Sequence, residues 1–355
     1  MTLSPRVPSL FVCLATLLPA PSAEAQESPF TFREIGPGIY ASLTVDDVNP
    51  SSFANAVAIE GPAGVLLVDT QHSHSAGRAL VEALRRHTDR PVTWVVDTHW
   101  HGDHVWGNGA VREAWPDAVL LGHPVTRDSL SGSAGHRRIT EERDRLEGLL
   151  RRIQEAFESG RVPADQTERY EALRARTEAQ LEELAGLEVV APRETVAEQR
   201  TLDLGGREVV VFHPGPAHTR GDLVVWVPDT GFLAAGDLLE EAPLWLEGAD
   251  VVGWSRALDA LEALEPTTVL PAHGRLREGP GLLHAHASFL RDAIAAAHRT
   301  PPPDSAALVR DLEPHRAALS PWGVEGEAFE AYVAAVREAL GLPAGAPRPE
   351  GPGGR

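Results

Sequence analysis

Four side chains able to bind a metal ion fall between positions 99 and 104: His99, His101, Asp103 and His104, in the run Thr98-His99-Trp100-His101-Gly102-Asp103-His104. On a regular helix or strand these side chains would splay. On a tight loop leaving a strand end, the alternate histidines can face one metal ion and the Asp-His pair a second. Gly102 is expected to let that loop bend without a Cβ clash. Three more candidates follow other strand-like runs: His218 beyond residues 208–212, Asp237 beyond 232–235 and His273 beyond 267–270. Imidazole and carboxylate donors suit Zn²⁺, and iron or manganese would accept the same set. Asp69 and Asp97 close two neighbouring strand-like runs. Asp69 reads as a carboxylate that orients a ligand imidazole, while Asp97 fits that part or a loop cap equally well. A second His-x-His pair, His72 and His74, has no Asp-His after it and reads as loop residues near the site without a metal role. His123 and His213, each beside a proline at a strand end, read as packing residues.

The elements that must hold these residues show in the periodicity. Short apolar runs predict strands at 65–70, 92–98, 118–122, 208–212, 223–227, 232–235 and 267–270, and helical spacing predicts helices at 76–86 and 254–264. Strands interleaved with helices indicate a layered α/β domain, in which chemistry gathers just beyond the carboxyl ends of strands. Between 137 and 187 the chain turns charged and helical. Leu146, Leu149, Leu150, Ile153 and Phe157 share one face, and Tyr170, Leu173, Leu181, Leu184 and Leu187 another, with Gly160 and Pro163 between them. This is an inserted helical hairpin, suited to packing on itself, to covering a site or to a dimer contact. Further helices are expected at 282–298 and 327–340, separated by Pro301, Pro302 and Pro303, and the Pro/Gly-rich segment 343–355 reads as disordered.

Composition narrows the function classes. The 355 residues are 43% hydrophobic and 23% charged, as in an ordinary globular protein. A net charge of −19 repels phosphate backbones and anionic lipid, which makes nucleic acid or a membrane surface a poor partner. All 32 Lys-or-Arg positions are Arg, so lysine-based Schiff-base or P-loop chemistry is excluded. Residues 1–25 read as a secretory signal peptide: Arg6, an apolar run from Leu10 to Leu18, then Ala23-Glu24-Ala25 before Gln26. The run is too short to span a bilayer, so a periplasmic or secreted product with no stable membrane insertion is expected. The single cysteine, Cys13, lies in that leader, leaving the exported part no thiol for a disulfide or a metal. Nothing in the sequence sets an oligomeric state.

With these residues set out, the pattern His99-x-His101-x-Asp103-His104, then His218, Asp237 and His273, resembles the metallo-β-lactamase superfamily. The surrounding Gly215-Pro216-Ala217-His218-Thr219 and Leu270-Pro271-Ala272-His273-Gly274 belong to the same likeness. The resemblance implies an αββα four-layer sandwich at 26–300, carrying the hairpin and followed by a C-terminal helical extension at 301–342. It implies two zinc ions: His99, His101 and His218 on the first, Asp103, His104 and His273 on the second, and Asp237 between them, with Asp103 also serving a bridging hydroxide. The expected activity is hydrolysis of a small molecule of ester, thioester, lactone or amide type. A β-lactamase is the alternative, weakened because Glu240 stands where such enzymes often carry a lysine for the drug's carboxylate. A non-catalytic metal-binding protein is a further alternative.

Overall fold

The computed structural model describes residues 30–43, 54–299 and 303–342. The expected signal peptide and the expected disordered tail lie outside these residues.

Two sheets face each other. The first runs in the order β1 (Thr31–Gly36), β2 (Ile39–Leu43), β3 (Ala56–Gly61), β4 (Gly64–Val68), β5 (Val92–Val96), β6 (Val119–Gly122) and β7 (Glu194–Thr195). It is antiparallel from β1 to β4 and parallel from β4 to β7. The second is built from β8 (Gln199–Asp203), β9 (Glu208–Phe212), β10 (Val224–Val227), β11 (Phe232–Ala234), β12 (Thr268–Leu270) and β13 (Arg277–Glu278), adjacent in that order reversed, with β11 and β12 parallel. Leu66, Val68 and Val96 from the first sheet meet Val209, Val211, Val225 and Leu270 from the second in the central core. Because successive strand residues point to opposite faces, the alternate residues Val65, Leu67 and Val95 line the outer face instead.

That outer face is covered by α1 (His74–Arg85) and, after the single turn α2 (Gly102–Val105), by α3 (Asn108–Ala114). Helix α1 starts where the Ser73 side chain accepts from the Ala76 N–H, and it buries Leu80, Val81 and Leu84 at helical spacing. After α4 (Pro124–Leu130) comes the hairpin, α5 (Gly132–Glu158) and α6 (Thr167–Leu184). Helix α5 begins five residues before the expected start. The outer face of the second sheet is covered by α7 (Val251–Glu262), α8 (Gly281–Ala297), α9 (Ser305–Leu319) and α10 (Glu327–Ala339). Leu258, Leu283, Phe289, Leu312, Phe329 and Tyr332 belong to one continuous apolar cluster there, so residues 303–342 pack in the same layer as α7 and α8. Helix, sheet, sheet, helix is the four-layer arrangement expected.

Candidate metal centre

All seven candidate ligands stand past strand ends on one edge of the sandwich. The loop leaving β5 turns through α2, a single helical turn with His101 extended just before it. Gly102 is required here for a reason other than the one expected: a Cβ would come within 2.0 Å of the Trp106 indole nitrogen, so close approach rather than backbone bend demands glycine. After β11, Gly236 takes φ 57°, a left-handed conformation that glycine tolerates, and this turns Asp237 towards the loop beyond β5. His273 follows β12 and pairs with Glu240 in an isolated parallel bridge. The loop carrying His218 is fixed by Asp222, which accepts from the Thr219 backbone N–H at 2.9 Å and from the Thr219 hydroxyl at 2.6 Å.

Two groups result, one of His99, His101, His218 and Asp237 and one of Asp103, His104 and His273, each with its donor atoms within 4.8 Å of one another. In the first, His218 Nε2 lies 3.0 Å from His101 Nδ1 and 3.3 Å from Asp237 Oδ2. In the second, His273 Nε2 lies 3.2 Å from Asp103 Oδ2. Asp237 links them, with Oδ2 towards the first group and Oδ1 3.0 Å from His104 Nε2. His72 and His74 join neither group; His74 opens α1 and sits 3.5 Å from Glu113. His123 and His213 pack against each other, ring centroids 4.4 Å apart.

Asp69 sits behind the ligands. Its Oδ2 accepts from His104 Nδ1 at 2.7 Å and from the Thr98 hydroxyl at 2.8 Å, and its Oδ1 accepts from the Thr98 backbone N–H at 2.8 Å. Holding the His104 proton on Nδ1 leaves on Nε2, which faces Asp237, a lone pair that a metal ion would take. Asp69 adopts φ 59°, a left-handed conformation that Asp tolerates better than most residues. Asp97 is also buried, and one of its oxygens accepts from Asn108 Nδ2 at 3.0 Å. Burial, reinforced by Asp69, raises the Asp97 carboxyl well above the usual carboxylate range.

The donor chemistry fits divalent metal. His99 Nε2, His104 Nε2 and Asp237 Oδ1 are buried with no hydrogen bond satisfying them, a costly arrangement unless a cation takes their lone pairs. Burial lowers His99 and His218 and pushes His101 to about 3, which keeps these imidazoles neutral, as ligands must be. Burial opposes charge on His104 and His273 too, but Asp237 and Asp103 outweigh it and draw both towards protonation. The carboxylates thus call for positive charge at this spot, which metal ions would provide. Asp103 has a side chain 31% exposed against 8% for Asp237, and His101 is half-buried, so the site opens on their side.

The hairpin docks beside that opening. Arg138 stacks its guanidinium 3.8 Å from the Trp100 ring, and Trp100 packs edge-on against His101 at 4.2 Å. Leu146 and Leu184 bury against Val105 and Trp106, while Glu183 accepts from the Ser75 backbone N–H and hydroxyl. Sequence reasoning missed several supports, among them Asp222, Thr98, Asn108, Trp254, whose indole N–H donates to the Leu238 carbonyl, and Trp245, whose carbonyl accepts from His218 Nδ1 at 3.3 Å. Only Thr98, adjacent to a ligand, carried a usable signal.

Residues 50–273 match the model of the metallo-beta-lactamase superfamily. A linear primary-alkylsulfatase from Pseudomonas sp. (strain ATCC 19151) is 25% identical over 74% of this chain, and the chain spans about half, 51%, of that relative's length. A metallo-beta-lactamase type 2 from Bacillus sp. (strain 170) is 24% identical over 65% of this chain and 70% of its own. Among solved structures, a metallo-beta-lactamase from Pontibacter korlensis superposes with a TM-score of 0.52, covering 74% of this chain and 99% of its own at 18% identity. A mono-zinc metallo-beta-lactamase from Pseudomonas aeruginosa superposes with a TM-score of 0.51, covering 75% and 96% at the same identity. At this identity the structural likeness speaks for the fold alone.

Proposed function

The chain belongs to the metallo-beta-lactamase superfamily, and we propose that it is an exported, zinc-dependent hydrolase of a small molecule with an ester, thioester, lactone or amide-type bond. The observation that carries this reading is the pair of ligand groups joined through Asp237, with Asp103 open to solvent beside them. His99, His101 and His218 would hold one zinc ion, Asp103, His104 and His273 a second, and Asp237 would reach both. Bound there, the ions supply Lewis acidity and lower the pKa of water towards about 7. The chain's own contribution is placement. Asp69 fixes the His104 tautomer, the Trp245 carbonyl fixes that of His218, and Asp103 offers a carboxylate that accepts a hydrogen bond from an incoming water and orients it. Trp100, braced by Arg138, walls the mouth on the hairpin side. Arg6, the apolar run 10–18 and Ala23-Glu24-Ala25 support export, with cleavage expected before Gln26.

β-Lactam hydrolysis is the second reading, favoured by the relative of that name. Glu240 bears on it differently from the sequence-based expectation. Its carboxyl is buried, and burial together with Asp237 pushes it to about 8, so it faces no substrate with a negative charge. It offers no positive charge to a drug carboxylate either. A hydrolysis screen of the zinc-loaded protein, with a chromogenic cephalosporin, lactones, thioesters, sulfate esters and phosphodiesters, decides among these readings, and mass spectrometry of the native metal checks zinc. Two bound ions without turnover of any class would refute the hydrolase and leave a metal-binding protein.

A further inference from the structure

His273 is held differently from the other candidate ligands. His99, His104 and His218 each have Nδ1 against a partner: the Thr98 hydroxyl at 3.2 Å, the Asp69 carboxylate at 2.7 Å and the Trp245 carbonyl at 3.3 Å. The Nδ1 of His273 is buried and, among the described residues, meets no hydrogen-bonding partner, so nothing at that nitrogen sets the direction of the ring. Its backbone has to do so. Of the four consecutive carbonyls from Pro271 to Gly274, three accept from one residue, Asn55, just ahead of β3. The Asn55 N–H donates to the Ala272 carbonyl at 2.7 Å, and its side-chain amide donates to the carbonyls of Pro271 and Gly274, both at 2.9 Å. The fourth, of His273 itself, accepts from the Glu241 N–H at 2.9 Å. Asn55 is buried, and since carbonyl oxygens only accept, its NH₂ and not its oxygen must face Pro271 and Gly274.

Asn55 is fixed in turn by a loop of the first sheet that already serves the second ligand group. Beyond β4, Asp69 holds the His104 imidazole, and Thr70 donates to the His104 carbonyl from its N–H at 2.7 Å and from its hydroxyl at 3.1 Å. Gln71 follows, fully buried, and its side-chain amide donates to the Ala54 carbonyl at 3.0 Å and to the Ser42 hydroxyl at 2.8 Å. That hydroxyl accepts from the Ala56 N–H at 3.2 Å, so the residues on both sides of Asn55 are tied down. Asp69 and Gln71 hold φ of 59° and 82°, and among the described residues only one other non-glycine residue, Glu265, has a positive φ. Two strained residues in one buried loop persist only where the surroundings over-determine them, and such strain gathers at functional sites.

We propose that Asn55 is the positioning residue of His273 and that Gln71 holds Asn55 in place, so that residues 69–71 set both His104 and His273. The inference rests on the metal-centre reading of the site. It makes affinity at the Asp103, His104 and His273 group depend on two side chains that act on His273 through backbone alone.

The test is titration of the metal-free full chain with Co²⁺ against graded chelator, read from the visible absorption of the bound ion, for the wild type, Asn55→Ala and Gln71→Gly. Glycine suits the φ of 82°, so Gln71→Gly removes the amide without new strain. His101→Ala and His104→Ala assign the absorption to the two groups. Asn55→Ala is expected to weaken Co²⁺ at the Asp103, His104 and His273 group by about 10–100-fold, the usual scale for a support behind a ligand, with a smaller loss at the His99 group. Gln71→Gly should weaken the same group in the same direction. Hydrogen exchange of residues 271–275 is measured beside it in the metal-free chain, where losing two hydrogen bonds should speed it about 5–30-fold in Asn55→Ala. Unchanged Co²⁺ affinity in Asn55→Ala, or an equal loss at both groups as a merely structural role would produce, overturns the proposal. Should Asn55→Ala not fold, Gln71→Gly, with Asn55 present, carries the same comparison. A wild type that takes up no Co²⁺ at either group refutes the metal-centre reading separately, and exchange of residues 271–275 that is unchanged in both variants then overturns the hold of Asn55 on the loop.

Discussion

Replacing Asp69 by Asn separates charge from shape behind the second ligand group. Asn tolerates the left-handed φ of 59°, so the backbone has no reason to move. The carboxylate accepts three hydrogen bonds, at 2.7 Å from His104 Nδ1 and at 2.8 Å from both the N–H and the hydroxyl of Thr98. An amide keeps one acceptor oxygen and turns an NH₂ on at least one of these donors. If the oxygen stays with His104 and the Thr98 hydroxyl, the Thr98 N–H loses its partner, a buried cost of about 1–3 kcal/mol. His104 also loses the negative charge that raises its basicity as a ligand, and supports of this kind are worth about 10–100-fold in metal affinity or activity. Asp69→Asn is therefore expected to weaken metal binding at the Asp103, His104 and His273 group by about 10–100-fold. The His99 group, reached from Asp69 only through the Thr98 hydroxyl 3.2 Å from His99 Nδ1, should weaken less. The assay is metal content by mass spectrometry after dialysis against graded chelator, with thermal unfolding of the metal-free protein beside it. Unchanged affinity at both groups, or preferential loss at the His99 group, would refute the assignment of Asp69 to His104.

Asp103→Asn should reduce turnover at least about 100-fold, because a positioned carboxylate that handles a proton contributes on that scale, while circular dichroism stays unchanged on this partly exposed loop; near-normal turnover would sink the mechanism. Metal release on acidification should be stepwise. Burial keeps His99, His101 and His218 neutral into acid, whereas on His104 and His273 burial is outweighed by Asp237 and Asp103, so metal there must displace protons. Affinity at the second group should then fall about tenfold per pH unit for each proton displaced, and metal analysis across a pH series in which the first group emptied first would contradict the sign. Replacing residues 137–187 by a short Gly/Ser linker should leave both metals bound, since no ligand lies inside, but uncover Val105 and Trp106 from Leu146 and Leu184. Each lost leucine contact is worth about 1.5–3 kcal/mol of burial, so the melting temperature should drop, and kcat/KM for a bulky against a small ester should shift; loss of zinc, or unchanged selectivity, counts against the hairpin as a wall of the site.

The candidate ligands were legible as one cluster because two independent signals coincide on them. Residue type says what can bind metal, and the end of an apolar run says which side chains share an edge. Where only one signal exists, the reading stops. Helix α9 was missed because Pro314 lies inside it and prolines crowd its approach, although Leu308, Leu312 and Leu319 are fully buried. Helix α5 began earlier than expected because Gly132 and Gly135 argue against helix. Gly135 is needed there for packing, since a Cβ would meet the Leu130 carbonyl at 2.4 Å. Strand β1, with exposed Thr31, Arg33 and Glu34, has too little apolar content to announce itself, and its place is set by pairing with β2.

The least legible part is also what braces the site from behind. The family match ends at residue 273, yet the loop from Glu240 to Leu246 is held by residues far beyond it. His286 of α8 contacts the Glu240 carbonyl through Nε2 at 3.2 Å and the Tyr332 hydroxyl through Nδ1 at 3.3 Å. Tyr332 comes from α10 and stacks on Phe289 at 4.5 Å between ring centroids. Burial lowers His286 to about 4, so the imidazole is neutral, donating from one nitrogen to the carbonyl and accepting from the tyrosine on the other. No spacing rule links positions 240, 286 and 332, because the contact exists only after three helices have packed on the second sheet. The loop they hold bridges to His273 and, through the Trp245 carbonyl, to His218. Helices that carry no candidate ligand therefore brace two candidate ligand histidines, one from each group, and the C-terminal layer is as much a part of the candidate site's construction as the strands that bear its donors.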